Sequence, residues 1–145
     1  MSATPNWAEV VVAGAAIAAA IIALMARNDA KRSADEAADA RKIARADLLN
    51  VHFQNVAYLL DVASDKVGGE AKKLGAGKQS VEALRAFIQD ADLESIFARL
   101  PALLDRSTEA HMRALTSLPV PPLPADINTL GELFERKRRQ YLGIQ

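Results

Sequence analysis

Residues 10–26 read VVVAGAAIAAAIIALMA, seventeen positions without a charge or a strongly polar side chain. As an α-helix this run is about 25 Å long, a little short of the ~30 Å hydrocarbon core of a bilayer. Trp7 and Ala8 extend it by most of a turn. The indole then lies at the headgroup level, where an apolar ring with one wet N–H is favoured. Glu9 falls at the rim, within reach of water. The strong inserters are Val10, Val11, Val12, Ile17, Ile21, Ile22 and Leu24. At roughly −0.3 to −0.6 kcal/mol each, with alanine near neutral, they favour insertion by about −2 to −4 kcal/mol.

Two other readings compete with a membrane span. An alanine-rich helix buried in a soluble bundle normally carries a polar stripe, and this run has none. A cleaved export signal opens with basic residues and closes on small ones. Nothing basic precedes Trp7 apart from the α-amine, and the apolar run continues past Ala18 and Ala20 to Met25. Residues 1–26 are therefore expected to be a short extracytoplasmic N-terminus and a single transmembrane helix. Downstream come Arg27, Lys31, Arg32, Arg41 and Lys42, with no lysine or arginine upstream. Basic residues resist translocation, which predicts a C-terminal part in the cytoplasm, a chain in the cell inner (plasma) membrane, and Trp7, Arg27, Lys31 and Arg32 at its two interfaces. Gly14 and Ala18 form a small-xxx-small pair of the kind that lets two helix backbones approach in lipid, so a homo-oligomer packed on these residues is one expectation. The abundance of alanine produces such pairs by chance as well.

Residues 27–46, RNDAKRSADEAADARKIARA, combine alanine and charge without glycine or proline, which favours helix. Ile43 is their only large aliphatic side chain. The stretch reads as a solvated stalk continuing the membrane helix. Ala30, Ala34, Ala37 and Ala44 also keep close to a 3.5-residue spacing, interrupted at Arg41, which would suit a thin alanine coiled coil between copies.

From 47 to 118 the pattern becomes that of a helical core. Leu49, Phe53, Val56, Leu60, Ala63 and Val67 recur at helical spacing, flanked by Leu48, Val51, Tyr58 and Val62. So wide an apolar sector predicts a helix buried on more than one side and ending at Gly68-Gly69. Residues 68–79, GGEAKKLGAGKQ, read as a glycine-rich connector. Its Gly-Ala-Gly-Lys lacks the P-loop's first glycine, its Ser or Thr and its preceding strand. Ser80 is the expected N-cap of the next helix, with Val81, Leu84, Phe87 and Ile88 on its apolar side. Asp92 is the expected cap of a further start bearing Leu93, Ile96, Phe97 and Leu100. Pro101 either kinks that helix or opens another, which runs to about Leu118 and buries Leu103, Leu104, Met112, Leu115 and Leu118. Residues 119–124, PVPPLP, form an extended linker. Thr129 and Glu132 match a capping box for a last basic, amphipathic helix within 125–145. The fold class is all-α: a single transmembrane helix, a helical stalk and a small antiparallel bundle of about four helices.

The sequence offers little chemistry. There is no cysteine, which removes thiolate nucleophiles and thiolate metal sites. His52 and His111 fall on apolar stripes and are expected to be partly buried. Asp105 and Glu109 share a helix face, but no second ligand motif accompanies them. No catalytic residue, cofactor or metal site is assigned. Eighteen acidic and eighteen basic residues balance, which argues against nucleic acid as a partner. The run Arg136, Lys137, Arg138 and Arg139 is the one concentrated charge, a candidate patch for a protein partner or anionic lipid. A straight stalk would hold the domain about 30 Å from the bilayer, well beyond the ~8 Å screening length, so lipid contact would require the bundle to fold back. The expected function is a non-catalytic, single-pass interaction or scaffold protein with the bilayer and an unidentified protein as partners. The alternatives are a membrane-active effector of the lysis or toxin type and an exported soluble helical protein. The layout is similar in composition to many bacterial membrane proteins, without pointing to a family.

Overall fold

The computed structural model describes residues 6–145, so the first five residues of the expected extracytoplasmic segment lie outside it. Among the described residues there are four helices and no strand: α1 (Trp7–Ala63), α2 (Ala71–Phe87), α3 (Ala91–Leu115) and α4 (Ile127–Leu142). The chain separates into two compact units, one up to Ala44 and one spanning Arg45–Gln145.

The first unit consists of the N-terminal part of α1. Asn6 starts the helix, its carbonyl accepting from Glu9 N at 2.8 Å and its side chain from Ala8 N at 3.3 Å. Both satisfy amide groups that a helix start leaves without partners. Beyond it the large apolar side chains, among them Val10, Ile17, Ile21, Leu24 and Met25, are all more than half exposed. Nothing in the unit covers them.

The second unit has a hydrophobic core of its own. From α1 it takes Leu49, Phe53, Val56, Leu60 and Ala63, spaced by four and three residues along one face, together with Leu59. Val81 and Leu84 of α2, Leu93, Ile96, Phe97, Leu100 and Leu103 of α3, and Ile127, Leu130 and Phe134 of α4 complete it. Phe53 is central, with its ring centroid 5.7 Å from that of Phe134 and 6.3 Å from that of Tyr141.

Several of the expected boundaries are corrected. First, α1 ends at Ala63, ahead of Gly68-Gly69. Asp65 takes the left-handed conformation (φ 57°), with Asp65 N bonded to Val62 O at 3.1 Å and Lys66 N to Asp61 O at 2.9 Å. This is the double bond pattern that closes many helices on a left-handed residue, usually glycine. Here Arg106 and Ser107 of α3 make the aspartate worthwhile: Ser107 Oγ donates to Val62 O at 2.8 Å, and Arg106 donates to Ala63 O and to the Asp65 carboxylate at 3.2 and 2.8 Å. Second, the connector 68–79 is helical from Ala71. The Tyr58 hydroxyl donates to Gly68 O and accepts from Glu70 N, both at 2.9 Å, which fixes where α2 begins. Ser80 is consequently not a cap but a buried residue inside α2. Third, Asp90 rather than Asp92 caps α3, its carboxylate accepting from Asp92 N and Leu93 N.

Pro101 sits inside the single helix α3, so of the two alternatives at this residue it does not open a new helix. Ser117, at φ 55°, ends it near Leu115. The helix α4 starts after Asp126, so Thr129 and Glu132 are helical rather than a capping box. The expected burial also changes in places. Leu48, Val51, Val67, Phe87, Met112, Leu115 and Leu118 are exposed, as is His111.

Gly77 explains why a glycine-rich stretch folds as helix. A Cβ placed there would lie 2.5 Å from Leu59 Cγ, and Leu59 is buried in the core. Gly77→Ala is therefore expected to destabilise the protein by about 1–2 kcal/mol, overpacking outweighing the gain in helix propensity. Gly75 is exposed with nothing within 4 Å of its absent Cβ. Gly75→Ala should stabilise by about 0.5–1 kcal/mol. Urea unfolding of the two full-length variants checks the opposite signs.

Candidate interaction surface

Polar side chains inside the second unit are spent largely on joining its helices. Asp90, only 9% exposed, holds the start of α3 to α4: its carboxylate accepts from Lys137 Nζ at 3.0 Å and from the Tyr141 hydroxyl at 2.8 Å. Burial pushes this carboxyl up, but the bonds from Lys137, the Leu93 amide and Tyr141 together outweigh it and bring it down to about 2. The same bond raises the Tyr141 hydroxyl, and Asp90 with Asp92 raises the Lys137 ammonium. Arg99 of α3 forms a two-pronged ion pair with Asp126 ahead of α4, and that hydrogen bond lowers the Asp126 carboxyl. Arg106, with a side chain 12% exposed, also donates to Pro121 O at 3.1 Å, so the end of α1 and the proline linker share one guanidinium.

Between α1 and α2 the polar link is Ser80. Its Oγ lies 3.0 Å from His52 Nδ1 and accepts from Asn55 Nδ2 at 2.9 Å. A serine within hydrogen-bond reach of a histidine is the beginning of a nucleophile–base pair. Ser80, however, is 2% exposed, which leaves no approach for a substrate. The trio pins two helices together. His111 makes no such bond, and Glu109 of the Asp105–Glu109 pair is engaged by Arg113 at 2.6 Å. No group of three or more potential metal-ligating side chains occurs among the described residues.

The basic run of α4 does not form one patch. Lys137 turns inward to Asp90 and Asp92, and Arg138 reaches Glu135 and Asn50, each at 3.3 Å. Arg139 lies 3.6 Å from Glu135. Arg136 and Arg139 are the two exposed members. In the first unit Trp7 is 78% exposed, and Gly14, Ala18, Arg27, Lys31 and Arg32 are exposed along the helix. Nothing lies within 4 Å of a Cβ built at Gly14, and Arg32 pairs with Glu36 at 2.9 Å along the same helix.

The second unit also carries a concavity that no sequence pattern marks. An open cleft of about 740 Å³ runs beside α3 between Leu104 and Ala114, with the Asp65–Lys78 segment opposite. Its floor is apolar or small, formed by Val62, Leu74, Leu104, Ala110 and Ala114. The alanines at 110 and 114 were its only trace in the sequence. No protein-family model, curated protein or solved structure matches this chain.

Proposed function

We propose that this chain is a single-pass membrane protein without catalytic activity, whose Arg45–Gln145 unit is a helical interaction or scaffold domain on the cytoplasmic side of the inner membrane. One observation carries it. The apolar stretch of α1 near the N-terminus is long enough to cross a bilayer, and none of it is buried by the rest of the chain. Exposed valine, isoleucine and leucine in this density are unfavourable in water, and a bilayer is the solvent that matches them. The second unit, by contrast, closes its own core and needs no lipid. Trp7 at one end of the stretch and Arg27, Lys31 and Arg32 at the other suit the two interfaces. Gly14 and Ala18 leave a shallow face on which a second copy of the helix packs.

Because the chain has no cysteine, single-cysteine variants report topology cleanly. In intact cells, Asn6→Cys should react with a membrane-impermeant maleimide. Ser95→Cys, on the exposed side of α3, should react only after the membrane is permeabilised. Labelling of Ser95→Cys from outside would refute the orientation.

A further inference from the structure

The cleft beside α3 has a shape and a charge that select an occupant. It follows α3 from Leu104 to Ala114, a length of about 15 Å, or three helical turns. It is open to solvent, as a groove that receives a helix is, whereas a small-molecule site encloses most of its ligand. Its lining of Val62, Leu74, Leu104, Ala110 and Ala114 is apolar, and at the exposed Ala114 there is room for a partner's larger side chain. Leu115, 70% exposed, continues the His111 side of α3 beyond the groove.

Lys66 and Lys78 border the cleft and are exposed, with Asp65 and Asp105 on the same rim. Neither lysine joins an ion pair among the described residues, whereas Lys42, Lys73 and Lys137 do. The start of α2 at Ala71 lies on the same cleft, but its N-cap residue is Glu70, whose carboxylate offsets the helix dipole there, so the two lysines are what the rim offers an anion. Of the acids at the rim, Asp65 is paired with Arg106 at 2.8 Å. Asp105 is the one left over.

We infer that this groove binds an acidic amphipathic helix of a partner protein, about three turns long, with its apolar stripe on the apolar lining and its carboxylates toward Lys66 and Lys78. The inference rests on the interaction role proposed above and names its face and its ligand chemistry.

The probe is a synthetic four-turn helix with leucine on one face and glutamate on the flanks, labelled with fluorescein, and its counterpart with lysine for glutamate. Each is titrated by anisotropy against the full-length chain in detergent micelles. The glutamate peptide should bind at least about tenfold more tightly than the lysine peptide, and less tightly as salt is raised. Lys78→Glu should erase the preference, and Ala114→Phe, an exposed position that fills the groove, should abolish binding. Circular dichroism of both variants confirms that the fold is kept. Equal binding of the two peptides, no binding of the glutamate peptide, or undiminished binding to Ala114→Phe would each overturn the inference. Loss of the membrane tether would leave these titrations unchanged, so the two proposals fail separately.

Discussion

Asp90→Ala should destabilise the Arg45–Gln145 unit by about 3 kcal/mol. The carboxylate is at once the N-cap of α3 and the acceptor for Lys137 and Tyr141 of α4. Losing the cap costs about 1 kcal/mol, and losing hydrogen bonds to a charged, nearly buried group costs about 1.5–3 kcal/mol. Asp90→Asn keeps much of the cap and should lose less. A pH signature accompanies the loss. The folded carboxyl titrates near 2, below its ordinary value of 3.8. A depressed carboxyl contributes stability that is complete above its unfolded value and disappears as pH falls through the folded one. The wild-type chain should therefore lose this contribution between about pH 4 and pH 2, and Asp90→Asn should show a shallower decline over that window. Asp126, also lowered, adds a second component that the variant retains. Urea titrations at stepped pH measure both.

Ile17→Asp should release most of the chain from the membrane. Ile17 lies near the middle of the apolar run, and it is exposed. On insertion scales the exchange moves one central position from about −0.6 to about +3 kcal/mol, which cancels the roughly −2 to −4 kcal/mol that the run supplies. A span rich in leucine would absorb one carboxylate, but this alanine-rich one has no surplus. Ile17→Leu, the matched control, should remain inserted. The measurement is the fraction of each variant that resists alkaline carbonate extraction.

The helices were legible because their cause is local. The spacing of Leu49, Phe53, Val56, Leu60 and Ala63 fixes one face of α1, and the proline linker separates α3 from α4 whatever surrounds it. The boundaries were not legible, because partners distant in sequence set them. Gly75 and Gly77 look like helix breakers until Leu59 is seen to need the space at Gly77. Asp90 and Asp92 are equivalent candidates for a cap until Tyr141 and Lys137 are brought to Asp90. Asp65 replaces glycine at a left-handed helix end only because Arg106 and Ser107 reward its carboxylate.

The same distinction governs the surface. The basic run at 136–139 is conspicuous in sequence, yet α4 rotates Lys137 and Arg138 toward internal acceptors, so four adjacent charges do not make one patch. Periodicity alone extends the buried stripe of α3 to Met112, Leu115 and Leu118. All three are exposed, because periodicity identifies a common face without saying where its covering neighbours stop. The groove beside α3 is lined by two alanines, Ala110 and Ala114, that no motif marks.

The most direct test is to express the full-length, untagged chain and wash the isolated membranes with alkaline carbonate before ultracentrifugation. A tether embedded in lipid keeps the protein in the pellet until detergent dissolves the bilayer. Recovery of intact chain in the carbonate supernatant would contradict the account.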